Sequence, residues 1–304
     1  FRGAIQAAMK AVYGPLAEIA VGGTAVIVVS SMLLSKAGQP TMINAVVLVV
    51  VCLAMALYSI LMNLSLLELP FFLWGIVFDS TNSRLFLLLF WSLNVAASIA
   101  FGVFVSTTGQ SSTMHRKFFH LTVSLIYVSG LFFDRDFIWL SGWLMICIFV
   151  IIEVFRFFKV PPWKEQLNDF LLVFKDEQDS AVLLTPIFLL FGVFLPLFLS
   201  PNSKSPNLYH LAGVAAVGVG DSVAAIIGSK FGITRWPRRK KTVEGSLAMT
   251  VAIAMFLTMA RPFCVFHASS CLLIVFVSLV LAAIEAFTEN VDNIILPIVG
   301  YLLL

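Results

Sequence analysis

The stretch most able to do chemistry is 218–245, GVGDSVAAIIGSKFGITRWPRRKKTVEG. Ionisable groups in an apolar chain are costly and mark functional positions. Gly218 and Gly220 loosen the helix just before Asp221. Asp221 then stands at the start of a new helical segment, where the helix dipole favours an anion. Asp221, Ala224, Gly228 and Gly232 recur at spacings that place them on one helix face almost free of bulk. Five basic residues follow within seven positions, Arg235, Arg238, Arg239, Lys240 and Lys241, and then Thr242, Glu244 and Gly245 open the next apolar run. Small-residue helix packing explains the glycines alone, and a positive-inside anchor explains some of the cations. A triphosphate explains the combination. Lysine and arginine neutralise its charge, a carboxylate holds it through a divalent metal such as Mg²⁺, and glycine lets backbone amides come close to phosphate. There is no GxxxxGK[ST] loop, and Val223 stands where a dinucleotide fingerprint needs its third glycine.

Other polar groups are scattered along the chain. Arg116, Lys117 and His120 open one apolar run, and Glu153 and Arg156 sit three apart on one helix face, spaced to pair with each other. Asp176, Glu177, Asp179 and Ser180 lie in a polar interruption, and Glu285, Thr288 and Asp292 come near the end. The spacing Asp221-x-x-Ala224-x-x-x-Gly228-x-x-x-Gly232, seven residues, then Lys240-Lys241-Thr242-x-Glu244-Gly245, resembles the CTP-binding signature of the dolichol kinase family. Arg116-Lys117-x-x-His120, Glu153-x-x-Arg156, Asp176-Glu177-x-Asp179-Ser180, Glu285-Ala286-x-Thr288, Asp292-Asn293 and Pro297 are similar to further motifs of that family. The resemblance covers about 115–304, while the first 114 residues match only as hydrophobic spans. Family members are often longer at the N-terminus, so a chain beginning at Phe1 is read as N-terminally incomplete.

The resemblance implies transfer of a phosphoryl group from CTP to dolichol, giving dolichyl phosphate and CDP, at the endoplasmic reticulum membrane. The partners are then CTP, dolichol and the bilayer, with no nucleic acid. The nucleotide-binding set is Gly218, Gly220, Asp221, Ala224, Gly228, Gly232, Arg239, Lys240, Lys241, Thr242, Glu244 and Gly245, joined by Arg116 and Lys117. Asp221 and Glu244 are candidates for the metal or for activating the hydroxyl. Glu285 and Asp292 are further metal candidates. His120, Asp176 and Asp179 complete the candidate catalytic groups. A phytol or other polyprenol kinase is the nearest rival. A transporter with a broken helix at Gly218–Asp221 is the rival from another class.

These residues need elements to hold them. Of 304 residues, 60% are hydrophobic and only 12% charged, with a mean hydropathy of +1.02. Soluble domains carry roughly twice that charge, so a soluble fold, a disordered chain and a disulfide scaffold are excluded. Cys52, Cys147, Cys264 and Cys271 sit in apolar runs and form no CxxC pair. The apolar runs are continuous, which argues against a barrel. The expected fold is an all-α polytopic transmembrane helical bundle of about ten spans with a cytoplasmic nucleotide-binding loop. The spans fall near 15–34, 42–63, 84–106, 117–133, 137–157, 182–200, 208–229, 243–260, 265–285 and 293–304. The stretch 66–78, broken by Pro70, reads as re-entrant or interfacial. Residues 159–181 read as an amphipathic surface helix, with Trp163, Leu167, Phe170, Leu171 and Phe174 on its apolar face. The expected domains are 1–114, N-terminal spans, and 115–304, a catalytic domain. Twelve of the 19 Lys and Arg cluster at 116–117, 156–175 and 230–241, all on one side in this topology, which makes that side cytoplasmic. Arg2 and Lys10 fall on the other side if all three early spans are real.

Overall fold

A computed structural model describes residues 2–78, 82–108, 113–172, 181–201, 205–264, 271–288 and 292–304. The helices are α1 (Arg2–Lys36), α2 (Met42–Leu61), α3 (Leu69–Val77), α4 (Asn82–Thr108), α5 (Thr113–Phe133), α6 (Arg135–Phe157), α7 (Lys164–Leu172), α8 (Thr185–Leu199), α9 (Ser222–Phe231), α10 (Val243–Ala260), α11 (Cys271–Phe287) and α12 (Asp292–Leu303). Six helical segments are long and apolar enough to cross a membrane: Ala11–Lys36, Met42–Leu61, Arg84–Val105, Arg135–Phe157, Val214–Phe231 and Val243–Phe263. Shorter apolar helices occupy Lys117–Phe133, Thr185–Leu199, Cys271–Phe287 and Asp292–Leu303. These correspond one for one to the ten expected spans. The chain is a multi-pass, all-α membrane protein, with no strand among the described residues.

Three expectations change in detail, each because of proline or glycine. Pro70 begins α3 rather than breaking it, since the first helical turn needs no N–H from that residue. The nine-residue α3 remains too short to span. The helix expected over 159–181 starts only at Lys164 and is described as far as Leu172. Pro161 and Pro162 bring no N–H and cannot lie inside a helix, so it starts only after them. Residues 173–180, and with them Phe174, Asp176 and Asp179, lie outside the described residues, as do the side chains of Phe170 and Leu171. The span near 208–229 is not one helix. A short 3₁₀ turn, Leu208–Leu211, precedes a π-helical stretch, Val214–Asp221, which passes into α9. This span is the most enclosed of the six, with 44% of its apolar window buried inside the protein against 17% in α2 and α4.

The chain divides into two compact units, 1–90 with 133–187, and 91–132 with 188–304. In the first, α1 packs on α2 and α6. Tyr13, Ala17 and Leu140 form a buried core against Trp139, Trp143 and Leu144. Polar contacts fix which helix ends lie together. The Tyr58 hydroxyl donates to the Val12 carbonyl (3.1 Å), joining the end of α2 to the start of the α1 span. Arg84 pairs with Asp134, the N-cap of α6, and its guanidinium lies over the Phe137 ring. At the other end, the Asn44 amide donates to the Pro161 carbonyl (2.8 Å). In this unit α2 therefore runs opposite to α1, while α4 and α6 start at the same end as the α1 span, and α1 begins at the end opposite to Arg156, Lys159 and Lys164. Lys10 and Arg2 thus lie away from that basic cluster.

In the second unit α10 packs on α9, α11 and the π-helical stretch. Close approach replaces large side chains here. A Cβ added to Gly192 in α8 would meet the Asn293 carbonyl oxygen at 1.8 Å, and one on Gly213 would meet the Gly192 carbonyl at 2.5 Å. Glycine lets the start of α12 lie directly on α8.

Candidate active site

Two elements of the second unit bring the first polar groups together. Helix α5 and the chain from His210 to Asp221 run past each other in opposite directions. The Tyr127 hydroxyl donates to the His210 carbonyl (2.7 Å). One turn back, Ser124 faces Gly218, where an added Cβ would stand 2.0 Å from the serine oxygen. One further turn back, Lys117 and His120 both meet Asp221. The ammonium donates to Asp221 Oδ2, and His120 Nε2 lies 3.7 Å from the same oxygen. Lys117 and His120 are three apart, one helical turn, so they share a face. Asp221 and His120 are both buried. Among the described residues the second oxygen of Asp221 receives no protein donor.

The π-helical stretch explains how Asp221 gets there. Such turns are wider than α-turns and are found at functional sites. Gly220 is pressed against Ile253 of α10, with an added Cβ 2.7 Å from its Cδ1. The two glycines let the widened turn fit between α5 and α10. Asp221 itself has helical backbone angles (φ −61°, ψ −34°) and its side chain makes no capping bond, so the chain passes into α9 at Ser222 without the break expected to place Asp221 at a new helix start.

The small-residue face takes a different role from the carboxylate. Ala224, Gly228 and Gly232 pack on the start of α10. A Cβ on Gly228 would lie 2.8 Å from Thr242 Oγ1, and one on Gly245 would lie 2.9 Å from the Ala224 carbonyl. Thr242 caps α10 by accepting the Gly245 N–H (3.2 Å). The Glu244 carboxylate accepts the Thr234 N–H with both oxygens (3.0 and 3.2 Å), closing the loop between α9 and α10. That loop is ordered by a bridge between Arg235 and Thr242, with the Trp236 N–H donating to the Lys241 carbonyl (3.0 Å). Arg238, at φ 60°, makes the turn, and the Arg239 N–H closes on the Trp236 carbonyl (3.0 Å). Trp236 is a residue that the sequence reading passed over. Its indole N–H donates to Ser246 Oγ (3.0 Å) and its ring packs on Phe287, fastening the loop to α10 and α11. Its only sequence signal is an aromatic inside a basic run.

Lys241 carries the loop into a second charged group. Its ammonium contacts Glu285 Oε1 at 2.7 Å, the Glu285 carbonyl at 2.7 Å and Asp292 Oδ2 at 3.5 Å. Burial pulls its pKa down, but the carboxylates of Glu285, Asp292 and Asp221 outweigh this and hold it above the usual lysine value. Asp292 in turn interacts electrostatically with Asp221 and Lys117. Asp221, Lys117, His120, Lys241, Glu285 and Asp292 thus form one charged neighbourhood. Glu244 is engaged with Thr234, outside this group. Lys240 is exposed and Arg239 half-buried. The Arg116 side chain, Asp176 and Asp179 lie outside the described residues. Among the described residues no three His, Cys, Asp or Glu side chains gather closely enough to ligate one ion.

Fold and site together define a multi-pass helical membrane protein with acids and lysines gathered inside its helices. Its affiliation comes from comparison with known sequences. A family model described as dolichol kinase matches residues 11–190, more than half of the chain, and the chain belongs to that family. The match begins at residue 11, so the early spans carry family-specific sequence, contrary to the expectation that they match only as hydrophobic segments. The 218–245 motif lies beyond the matched range. A dolichol kinase of Homo sapiens is 35% identical over 247 residues, covering 74% of this chain and 45% of that protein. The dolichol kinase EVAN of Arabidopsis thaliana is 31% identical over 243 residues, 77% of this chain and 42% of that protein. A dolichol kinase of Saccharomyces cerevisiae is 28% identical over 212 residues, 68% and 39% respectively. The chain spans about half the length of the curated relatives it matches. No solved structure matches it.

Proposed function

We propose that this chain is the catalytic part of a dolichol kinase, which transfers the γ-phosphoryl group of CTP to the hydroxyl of dolichol at the endoplasmic reticulum membrane, with its charged site on the cytoplasmic side. The product, dolichyl phosphate, would serve protein N-glycosylation. The observation that carries this reading is Asp221, an aspartate held inside the helices by Lys117 beside His120, with one carboxylate oxygen unengaged by the described protein. Family membership supports the reaction class, and the basic loop supports a polyphosphate donor.

In this reaction the dolichol oxygen attacks the γ-phosphorus, the bond from that phosphorus to the bridging oxygen breaks, and CDP leaves. Catalysis of this kind is mostly positioning and neutralisation of charge. Lys240 and Arg239 are assigned to the phosphates. His120 is assigned to accept the hydroxyl proton. The donor set fits Mg²⁺ brought in with the nucleotide, because that ion takes one or two protein carboxylates and fills its shell with phosphate and water. Asp221 and Asp292 would hold it, and when bound it would neutralise the triphosphate. The residues given these tasks all fall within 115–304, the segment proposed as the catalytic domain.

The test uses membranes carrying the protein, labelled CTP and dolichol. Labelled dolichyl phosphate is expected, with ATP a poor substitute. Transfer to phytol but not to dolichol would reject the acceptor. Equal product from wild type and Asp221→Ala would reject the site.

A further inference from the structure

Lys240 and Lys241 are indistinguishable in sequence, and the structure separates them. An ammonium has three N–H donors. Those of Lys241 face three acceptors, the Glu285 carboxylate, the Glu285 carbonyl and the Asp292 carboxylate. The Glu285 carbonyl belongs to the last turn of α11, where the helix dipole favours a cation. The Glu285 side chain is only 6% exposed, so moving Lys241 to a phosphate would leave a buried carboxylate without its counter-charge. The backbone of Lys241 is held as well, by the Trp236 N–H and by the α10 cap at Thr242. It therefore ties the loop, α10, α11 and the start of α12 into one piece. Lys240 precedes it at a bend in the loop and is exposed.

Resting on the kinase reading above, we infer that Lys241 is a positioning residue that neutralises Glu285 and Asp292 and holds the loop in place, and that contact with the triphosphate belongs to Lys240. Loss of Lys241 acts on CTP indirectly: it leaves two carboxylates uncompensated beside the nucleotide.

The experiment compares Lys241→Met, Glu285→Gln, the double variant and Lys240→Met in the purified full-length protein, by melting temperature and by kcat and KM for CTP. Lys241→Met is expected to lower the melting temperature and raise KM about thirtyfold or more, the size of effect seen on stranding one member of a buried charge pair. Adding Glu285→Gln restores the charge balance and should bring KM back to within about threefold of wild type, since no CTP contact was lost. Lys240→Met should raise KM, and Glu285→Gln should not rescue it. A double variant that keeps the full KM defect while melting like wild type would make Lys241 a phosphate ligand and overturn the inference. Where Lys241→Met fails to fold, recovery of folding in the double variant supports the clamp, and continued failure overturns it. If wild type makes no phosphorylated lipid, the kinase reading fails. Melting temperatures still decide the clamp, because they must be non-additive between Lys241→Met and Glu285→Gln.

Discussion

Glu153 and Asp221 are both buried carboxylates facing a cation in helical, membrane-embedded parts of the chain, one in each compact unit. Glu153 is saturated. It takes Arg156 Nε and Nη2 on its two oxygens (2.7 and 2.6 Å) and the Leu183 N–H besides (2.8 Å), and Arg156 goes on to the Ala181 carbonyl (2.7 Å). Asp221 is under-filled among the described residues, with Lys117 and His120 sharing one oxygen. A bidentate arginine pair with every acceptor engaged fixes geometry. A carboxylate with an open oxygen beside other acids and lysines leaves room for a ligand. Charge inside a membrane protein thus has two uses, and the completeness of its hydrogen bonding separates them.

The sharpest way to break this comparison is to substitute both acids. Asp221→Asn should lower phosphoryl transfer by about 10³-fold, the scale for a lost group that stabilises charge at a reacting centre, a loss far beyond what its lowered stability, from leaving Lys117 without its counter-charge, accounts for. Equal losses of transfer and stability would make Asp221 another structural pair. Glu153→Gln should do the reverse, costing about 3 kcal/mol of stability by stranding Arg156. Its turnover per folded molecule, counted by titrating the detergent-solubilised protein, should be unchanged.

Smaller effects sharpen the picture around Asp221 and Asp292. Gly192→Ala places a methyl 1.8 Å from the Asn293 carbonyl, so α12 must shift and Asp292 with it. Overpacking of this kind costs about 1–3 kcal/mol, and kcat should fall along with the melting temperature. Trp236→Phe keeps the ring on Phe287 but loses the bond to Ser246. About 1 kcal/mol of stability is expected to go with it. A small rise in KM for CTP, measured by initial rates, would show that the loop is held for the nucleotide.

Much of this was legible in the chain because it follows from local rules. Twenty apolar residues in a row have few alternatives to a spanning helix, and each expected span falls on an apolar helix, Val243–Ala260 at the same bounds and others with ends shifted by several residues. The i,i+3 spacing of Glu153 and Arg156 announced their pair. Motif spacing singled out Asp221, Lys117, His120, Glu285 and Asp292. It could not say that Thr242 and Gly245 would cover the glycine face, or that Glu244 would turn to Thr234. Those outcomes depend on how α9 and α10 cross. The role of Trp236 was hidden for the same reason, since an aromatic in a basic run has no local partner.

By itself the sequence determined that this protein is helical and membrane-embedded and which charged residues are candidates for chemistry, because apolar runs and fixed spacings act within one helix. Only the tertiary structure decided which acid meets which lysine. Lys117 and Asp221 are 104 positions apart, and Lys241 and Asp292 are 51 apart. Contacts at such separations depend on the path of the intervening helices, and here that path is set by glycines that admit one backbone against another.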